Sequence, residues 1–566
     1  MRQLLASDLI GSSCVWLLEV DLGGTVYRFS SQPIEVLKDG AAIGFSGGLA
    51  AEEIEYEETI DRGGLLTSMQ SLSVEVVFPF DVAQARKQGR HLSTATAEVS
   101  LMPVRSGTAL QPWAGRYVVT TGPVSQAQIG SPSKPSGWAA FSIAGDPDQD
   151  RGRLVQPEHR ISAESVLVSW GTDDDQVQRN FGRPYPVVVG RPGVYRVGGT
   201  VVSQASVTEG SPAYGVSYNP AGVTAGYEVI LIAGHHVACS GGGNLVHVKA
   251  KDLEESHNLE PVATYDKLGR PITIVNCPPG GSITTDWRNA DEYWVSWGTS
   301  LQGEHTAHRN PFGSRPLHGA GDVLRFLLSK STIPIDHAAF ATAAPYLNAL
   351  ARVSTYYNDP ECTPMEAVEE LLELLPVSIR RGPDGLYPIV HDQRGTAGGM
   401  IELHQGRELT RVQYLQDERR PGDIATIVSV EYTPRASEGS AYLRSVTVGI
   451  VDADDLDTTS TVHSRAAALT HPNAAVINIT ADLLYDAASA ASLARRRVRE
   501  ASRMPSKTAY RLAPELAWLP LGIEFALTDA DLHLTDQTAE IVGKSWDGAE
   551  WTIDVLFFED VARDRS

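Results

Sequence analysis

The pentapeptide Val168-Ser169-Trp170-Gly171-Thr172 recurs as Val295-Ser296-Trp297-Gly298-Thr299, 127 residues further on. The first copy leads into Arg179-Asn180-Phe181-Gly182-Arg183-Pro184. The second leads into Arg309-Asn310-Pro311-Phe312-Gly313-Ser314-Arg315-Pro316, the same order with two single-residue insertions. That spacing exceeds a solenoid repeat of roughly 20–50 residues and matches one module. It points to a scaffold of duplicated or inserted β modules rather than one enzyme fold around one cleft. No second copy of the stretch between the echoes follows Pro316, so the copies read as brackets around an inserted β module.

The 51 glycines and 33 prolines, with short β-branched runs between them, favour many strands and turns. The expected fold class is mainly β with minor α (α+β), in several β-barrel- or sandwich-like modules with a few helices. Four units are expected: an N-terminal β domain over 1–160; a β domain over 161–320 holding a Gly-rich insert at about 173–290; an α+β domain over 321–415; and a C-terminal β domain over 416–566.

Local signals place the elements. Val15 to Val20 and Val26 to Phe29 flank Gly23-Gly24, a hairpin pattern. Ser71 to Phe78 alternates as a half-buried strand, and Asp81 to Lys87 suits a short helix. Pro186 to Gly190 and Tyr227 to Gly234 read as buried strands, and Leu245 to Ala250 as half-buried. Asp322 to Leu328 has helical spacing. Ala338 to Val353 is a second helix, with Pro345 expected to break it. Thr363, Pro364 and Glu366 form a capping box ahead of an apolar face of Val368, Leu371, Leu372 and Leu375, with Pro376 as the stop. Gly382-Pro383-Asp384-Gly385 is a turn between strands. Strands over 421–453, turned by Pro421-Gly422-Asp423, precede a long helix expected over 481–503, with Leu483 and Leu484 on its apolar face. Asp547-Gly548 is a good pair to close the last hairpin, with a loop extended to Ala549 and Glu550 as the alternative.

Net charge is −22. A groove that grips nucleic acid needs Lys and Arg to displace counterions, so stable DNA binding is not expected, whereas repulsion of DNA is compatible. Four scattered cysteines, Cys14, Cys239, Cys277 and Cys362, lack CxxC spacing and read as free thiols rather than metal ligands. No apolar run reaches the roughly 20 residues of a membrane span. The N-terminus has no signal-peptide core, so synthesis and residence in the cytoplasm are expected until some assembly carries the protein away.

Zinc-protease, P-loop and nucleophile-elbow patterns are absent from the sequence. His235-His236 near Cys239 admits a Cys–His nucleophile pair, though a structural strand end is the plainer reading. Ser240 with Gly241 to Gly243 could cradle an anion, and a surface turn is the alternative. Asp146 to Gly152 mimics a calcium loop, but Arg151 stands where Gly is needed and Pro157 where a bidentate Glu is needed. The clusters Asp173-Asp174-Asp175 and Asp452, Asp454, Asp455, Asp457 also lack that spacing and read as solvated loops. Arg495, Arg496, Arg497 and Arg499 make either a partner or phosphate contact or a solvated helix face, the latter preferred. Trp170 and Trp297 are candidate sugar platforms, with core packing the alternative. No catalytic, cofactor or metal residue is assigned, and the chain is expected not to be an enzyme.

Three sets of segments, in this order, resemble the tail-hub (tail-tip, baseplate-hub) proteins of long-tailed bacteriophages. The first is Arg183-Pro184-Tyr185-Pro186-Val187-Val188-Val189-Gly190 with Ala233-Gly234-His235-His236-Val237 and Tyr265-Asp266-Lys267-Leu268-Gly269-Arg270. The second joins Asp322–Leu328 to Thr363–Ala367, Leu372–Pro376 and Asp384–Pro388. The third is the C-terminal helix with Leu519-Pro520-Leu521-Gly522 and the hairpin of Trp546 and Trp551. Residues 1–120 match least. The resemblance implies a homotrimeric ring of barrel-like domains in the virion, at the tail tip. Such a ring closes the tail tube, adapts it to a spike or central fibre and lets DNA pass during ejection. Its implied neighbours are distal tail, tail tube and tape measure proteins. An acidic lumen would then carry carboxylates rather than arginines. A carbohydrate- or receptor-binding tail module and a tail-associated peptidase or glycosidase are the alternatives.

Overall fold

The structure is a computed structural model. It describes residues 13–559 apart from 51–53, 55, 60–67, 70–71, 105–109, 114–115, 144–151, 166–174, 194–195, 198–199, 202–209, 220–225, 238–244, 252, 254, 278–282, 291, 298–309, 314–316, 383–384, 392–400, 418–424, 435–441, 451–455, 458–474, 502–503, 514–515, 518 and 548–549. The fold is mainly β with minor α, in several curled sheets.

The two ends of the chain build one body. Ser13–Leu22 turns at Gly23-Gly24 and pairs antiparallel with Thr25–Ser30. On its other side it pairs with Thr96–Val104, followed in the sheet by Tyr117–Ile129, Trp138–Ile143 and Leu72–Val77. The C-terminal sheet runs Ile401–His404, Glu524–Asp529, Leu534–Trp546, Trp551–Glu559, Met504–Leu512, Leu409–Arg411. Tyr56–Thr59, from the N-terminal region, pairs antiparallel with Gly543 to Trp546 of the C-terminal sheet. A single apolar core then runs from Trp16 to Ile143 and from Leu403 to Phe557. At its centre Trp16 stacks on Trp551 with ring centroids 5.5 Å apart, and Trp546 and Tyr56 meet the same ring edge-on or tilted. The last hairpin closes at the Trp546↔Trp551 pair, so its loop is residues 547–550.

A second core is helical. Ala320–Leu328 packs against His337–Leu350 and Pro364–Leu372, and behind them lie Ala425–Pro434, Tyr442–Ile450 and the helix Ala487–Ala501. The capping box is present, with the Thr363 side chain accepting from Glu366 N–H and Glu366 reaching back to Thr363 N–H. Pro345 does not break its helix. Its missing N–H costs one bond, while Phe340, Ala343, Ala344 and Leu347 stay buried. Gly321 is required there, because a Cβ would stand 2.6 Å from Ala344 Cα. The C-terminal helix begins at Ala487, not near 481. Asp486 accepts from Ser489 N–H and Ser489 Oγ–H, fixing the start. Leu483 and Leu484 are buried, but in the turn before the helix.

The third body is a seven-stranded sheet in the order Ser256–Leu259, Val246–Ala250, Glu292–Ser296, Ser211–Asn219, Gly226–Ala233, Pro271–Asn276, Pro261–Tyr265. Val246–Ala250 is more buried than its sequence suggests, since neighbours flank it on both sides. Val295 and Ser296 of the second echo end a central strand of this sheet. The first echo, 168–172, lies outside the described residues, but the motifs that follow differ in role. Asn180 donates to Gly215 C=O at 2.8 Å, while Asn310 donates to Asp322 on the helical unit at 2.9 Å.

Candidate functional site: two buried polar joints

The segments 183–190, 233–237 and 265–270 meet in space. Asp266 is buried and caps its own turn, its Oδ1 accepting Leu268 N–H at 3.0 Å and Arg270 N–H at 2.8 Å. Oδ2 takes Arg270 Nε at 2.7 Å and the Tyr185 hydroxyl at 3.1 Å. Burial pushes the Tyr185 phenol up to about 12, so it stays a donor. Gly234 lies flat on Tyr185, where a Cβ would come within 2.5 Å of the tyrosine Cβ. This joint pins residues 183–190 onto the sheet.

His235 belongs to the same joint. Its Nε2 accepts Val188 N–H at 3.0 Å, so the proton of the neutral ring sits on Nδ1, which faces His236 C=O. The basic nitrogen is thus occupied and is not a base for a thiol. Cys239, Ser240 and the Gly241–Gly243 run lie outside the described residues. His236 donates to Thr264 C=O at 2.8 Å.

Other sequence candidates resolve individually. Trp297 is buried and donates to Ser211 Oγ at 2.7 Å, so it is core and not a sugar platform; Trp170 lies outside the described residues. Arg496 and Arg497 are not simply a solvated face. They donate to Leu374 C=O at 2.7 Å and Glu373 C=O at 2.6 Å, neutralising the carboxyl end of the helix Pro364–Leu372. Arg495 is exposed. Residues 144–151, 173–174 and 451–455, which hold most of the acidic loops, are outside the described residues. Cys277 and Cys362 are free thiols. Among the described residues no His, Cys, Asp and Glu group is arranged to hold a metal ion.

The second joint went unread in the sequence. The hairpin of Val377–Gly382 and Gly385–Val390 presents Val377 and Ile379 to the helical core and Ser378 and Arg380 to the terminal body. Arg380 Nη2 meets Glu58 Oε2 at 2.8 Å, with both side chains 1% exposed. Arg380 Nη1 donates to the hydroxyl oxygens of Tyr117 at 2.7 Å and Tyr387 at 3.2 Å, and the Tyr56 hydroxyl donates to Glu58. Lys544 stands beside them, donating to Leu519 C=O at 3.1 Å and to Ala517 C=O, between the rings of Tyr117 and Trp551. Burial, aided by the nearby Arg380, pushes its ammonium down to about 7.

Beside this cluster, Ser378 Oγ lies 2.8 Å from His391 Nε2, and His391 Nδ1 lies 2.8 Å from Glu540 Oε1. The order Ser–His–Glu is that of a hydrolase relay, yet all three side chains are buried and Ser378 has no exposed surface. A nucleophile needs access to its substrate, so the relay acts here as a clasp from the hairpin to the terminal sheet. A fluorophosphonate probe is expected to leave Ser378 unlabelled in the folded protein, as judged by intact-mass spectrometry. Stoichiometric labelling lost in Ser378→Ala would reverse this reading. The sequence signal was faint: Ser378 and Arg380 alternate with Val377 and Ile379, a period of two with charge on the inward face.

No family model matches the chain, and no curated protein matches it. Among solved structures, it is similar to the 43 kDa tail protein of prophage MuSo2 from Shewanella oneidensis, at 10% identity and a TM-score of 0.31 over 97% of this chain and 100% of that one. It is similar to the tail protein from Neisseria meningitidis MC58, at 11% identity and a TM-score of 0.33 over 96% of each chain. It is also similar to a chain of the native gene transfer agent virion, at 11% identity and a TM-score of 0.38, covering 68% of this chain and 86% of that one. At TM-scores below 0.5 these likenesses carry no argument about function.

Proposed function

We propose that the chain is a structural protein of a phage-type virion, a tail hub that closes the tail tube, adapts it to a spike or central fibre and lets DNA pass. The observation that carries this reading is the shared core of the chain's two ends, locked by Tyr56–Thr59 on the C-terminal sheet. A part that bears load in an assembly gains from ends that cannot peel apart. The buried polar joints support the same reading, because they fix module orientation. The net charge of −22 suits a wall that DNA passes without sticking. The proposed state is a homotrimeric ring contacting distal tail, tube and tape measure proteins. Solution mass with negative-stain imaging tests it. A three-fold ring with a central hole, and no DNA retention at low salt, is expected. A strict monomer at high concentration, or tight DNA binding, would overturn it.

A further inference from the structure

The hairpin Val377–Val390 separates two hydrophobic cores that share no residue, the terminal one and the helical one. Along this seam the contact is charged where an apolar one would hold better. A buried ion pair commonly contributes less than well-packed hydrophobic residues of the same volume. The seam's groups are also incompletely satisfied: Glu58 Oε1 and Arg380 Nε are buried without a hydrogen-bond partner. Opening would return both to water, which lowers its cost.

The charge count depends on one side chain. Lys544 faces Glu58 on Tyr56–Thr59, the ring of Tyr117, Arg380 on the hairpin and the Cys14 thiol, and Tyr56 and Tyr387 surround the same Glu58–Arg380 pair. With Lys544 neutral, Glu58 balances Arg380. With Lys544 charged, the sealed pocket holds two cations against one carboxylate. We infer that this seam is an acid-sensitive latch: protonation of Lys544 favours parting of the hairpin, with the helical unit behind it, from the terminal body.

The direction follows from linkage. Lys544 is depressed to about 7 in the closed form and returns toward about 10.5 when hydrated. The open form therefore binds more protons, and closure is strengthened as pH rises through 7 and weakened as it falls. Between about pH 8 and about pH 6 the opening equilibrium grows about tenfold. His391, held by Glu540 and Ser378, is the other titratable side chain beside the hairpin. The two are separable by substitution.

Hydrogen exchange with mass spectrometry on the full chain tests the latch, with rates corrected for intrinsic pH dependence. Peptides covering Val377–Gly382 and Gly385–Val390 should lose about tenfold protection near pH 6 relative to near pH 8, while Gly226–Ala233 in the seven-stranded sheet keeps its protection. Lys544→Met should abolish the pH dependence. Hairpin protection unchanged between the two pH values in the wild type overturns the latch, as does a pH effect that survives in Lys544→Met. If Lys544→Met fails to fold, Lys544→Gln serves the comparison, and the wild-type ratio alone still decides.

Discussion

Arg380→Met is expected to lower the stability of the terminal body by about 3–5 kcal/mol, because it removes the cation hydrogen-bonded to the buried Glu58 carboxylate. The loss should appear as an earlier urea transition in tryptophan fluorescence, since Trp16, Trp546 and Trp551 sit in that core. Glu58→Leu should cost a similar amount, by stranding Arg380. Joined in one chain, the two changes should recover most of the loss, because the pair is a desolvation burden as much as a bond. That non-additivity distinguishes a charged joint from simple packing. Two costs that merely add would mean that each side chain acts through its neighbours and not through the other.

The second large effect is at Asp266. Asp266→Ala removes the acceptor of two backbone N–H groups, the Tyr185 hydroxyl and Arg270 Nε together. The expected loss is about 3 kcal/mol, set by the stranded Arg270 and the unformed turn. Tyr185→Phe removes one bond from the same joint and should cost about 1 kcal/mol. Thermal unfolding measures both. Exchange of amides in Val187–Val189 should rise in Asp266→Ala but not in Ser378→Ala, because the two joints share no residue. Equal stability of Asp266→Ala and wild type would show that the turn forms without its cap.

Much of the β architecture was legible in the sequence, because turn chemistry and period are local. Gly23-Gly24, the Thr363 capping box and the alternating run before Phe78 each carry their own signal. The segments at 183–190, 233–237 and 265–270 were singled out, and they do meet. What escaped was whatever depends on a partner far along the chain. Pro345 reads as a breaker, and only Gly321 and the buried face around Ala344 explain why the helix continues. Trp297 reads equally as platform or core until Ser211 is seen beside it. Arg380 looks like one arginine in a short strand. Nothing near it in sequence announces Glu58, 322 residues away, or Lys544 on a third segment.

The stack of Trp16 on Trp551 has a consequence for how such a chain is made. The strands around Trp16 are synthesised long before those around Trp551 and lack the far wall of their core until these follow. The seven-stranded body, with strands close together in sequence, can form while synthesis proceeds. The N-terminal sheet must wait, with Trp16 uncovered and Tyr56–Thr59 without Gly543 to Trp546 beside it. Long-range closure of this kind is slow and leaves sticky surface waiting. Chaperone demand during synthesis should therefore concentrate on the N-terminal strands, and truncated chains that stop short of Trp551 should aggregate through them.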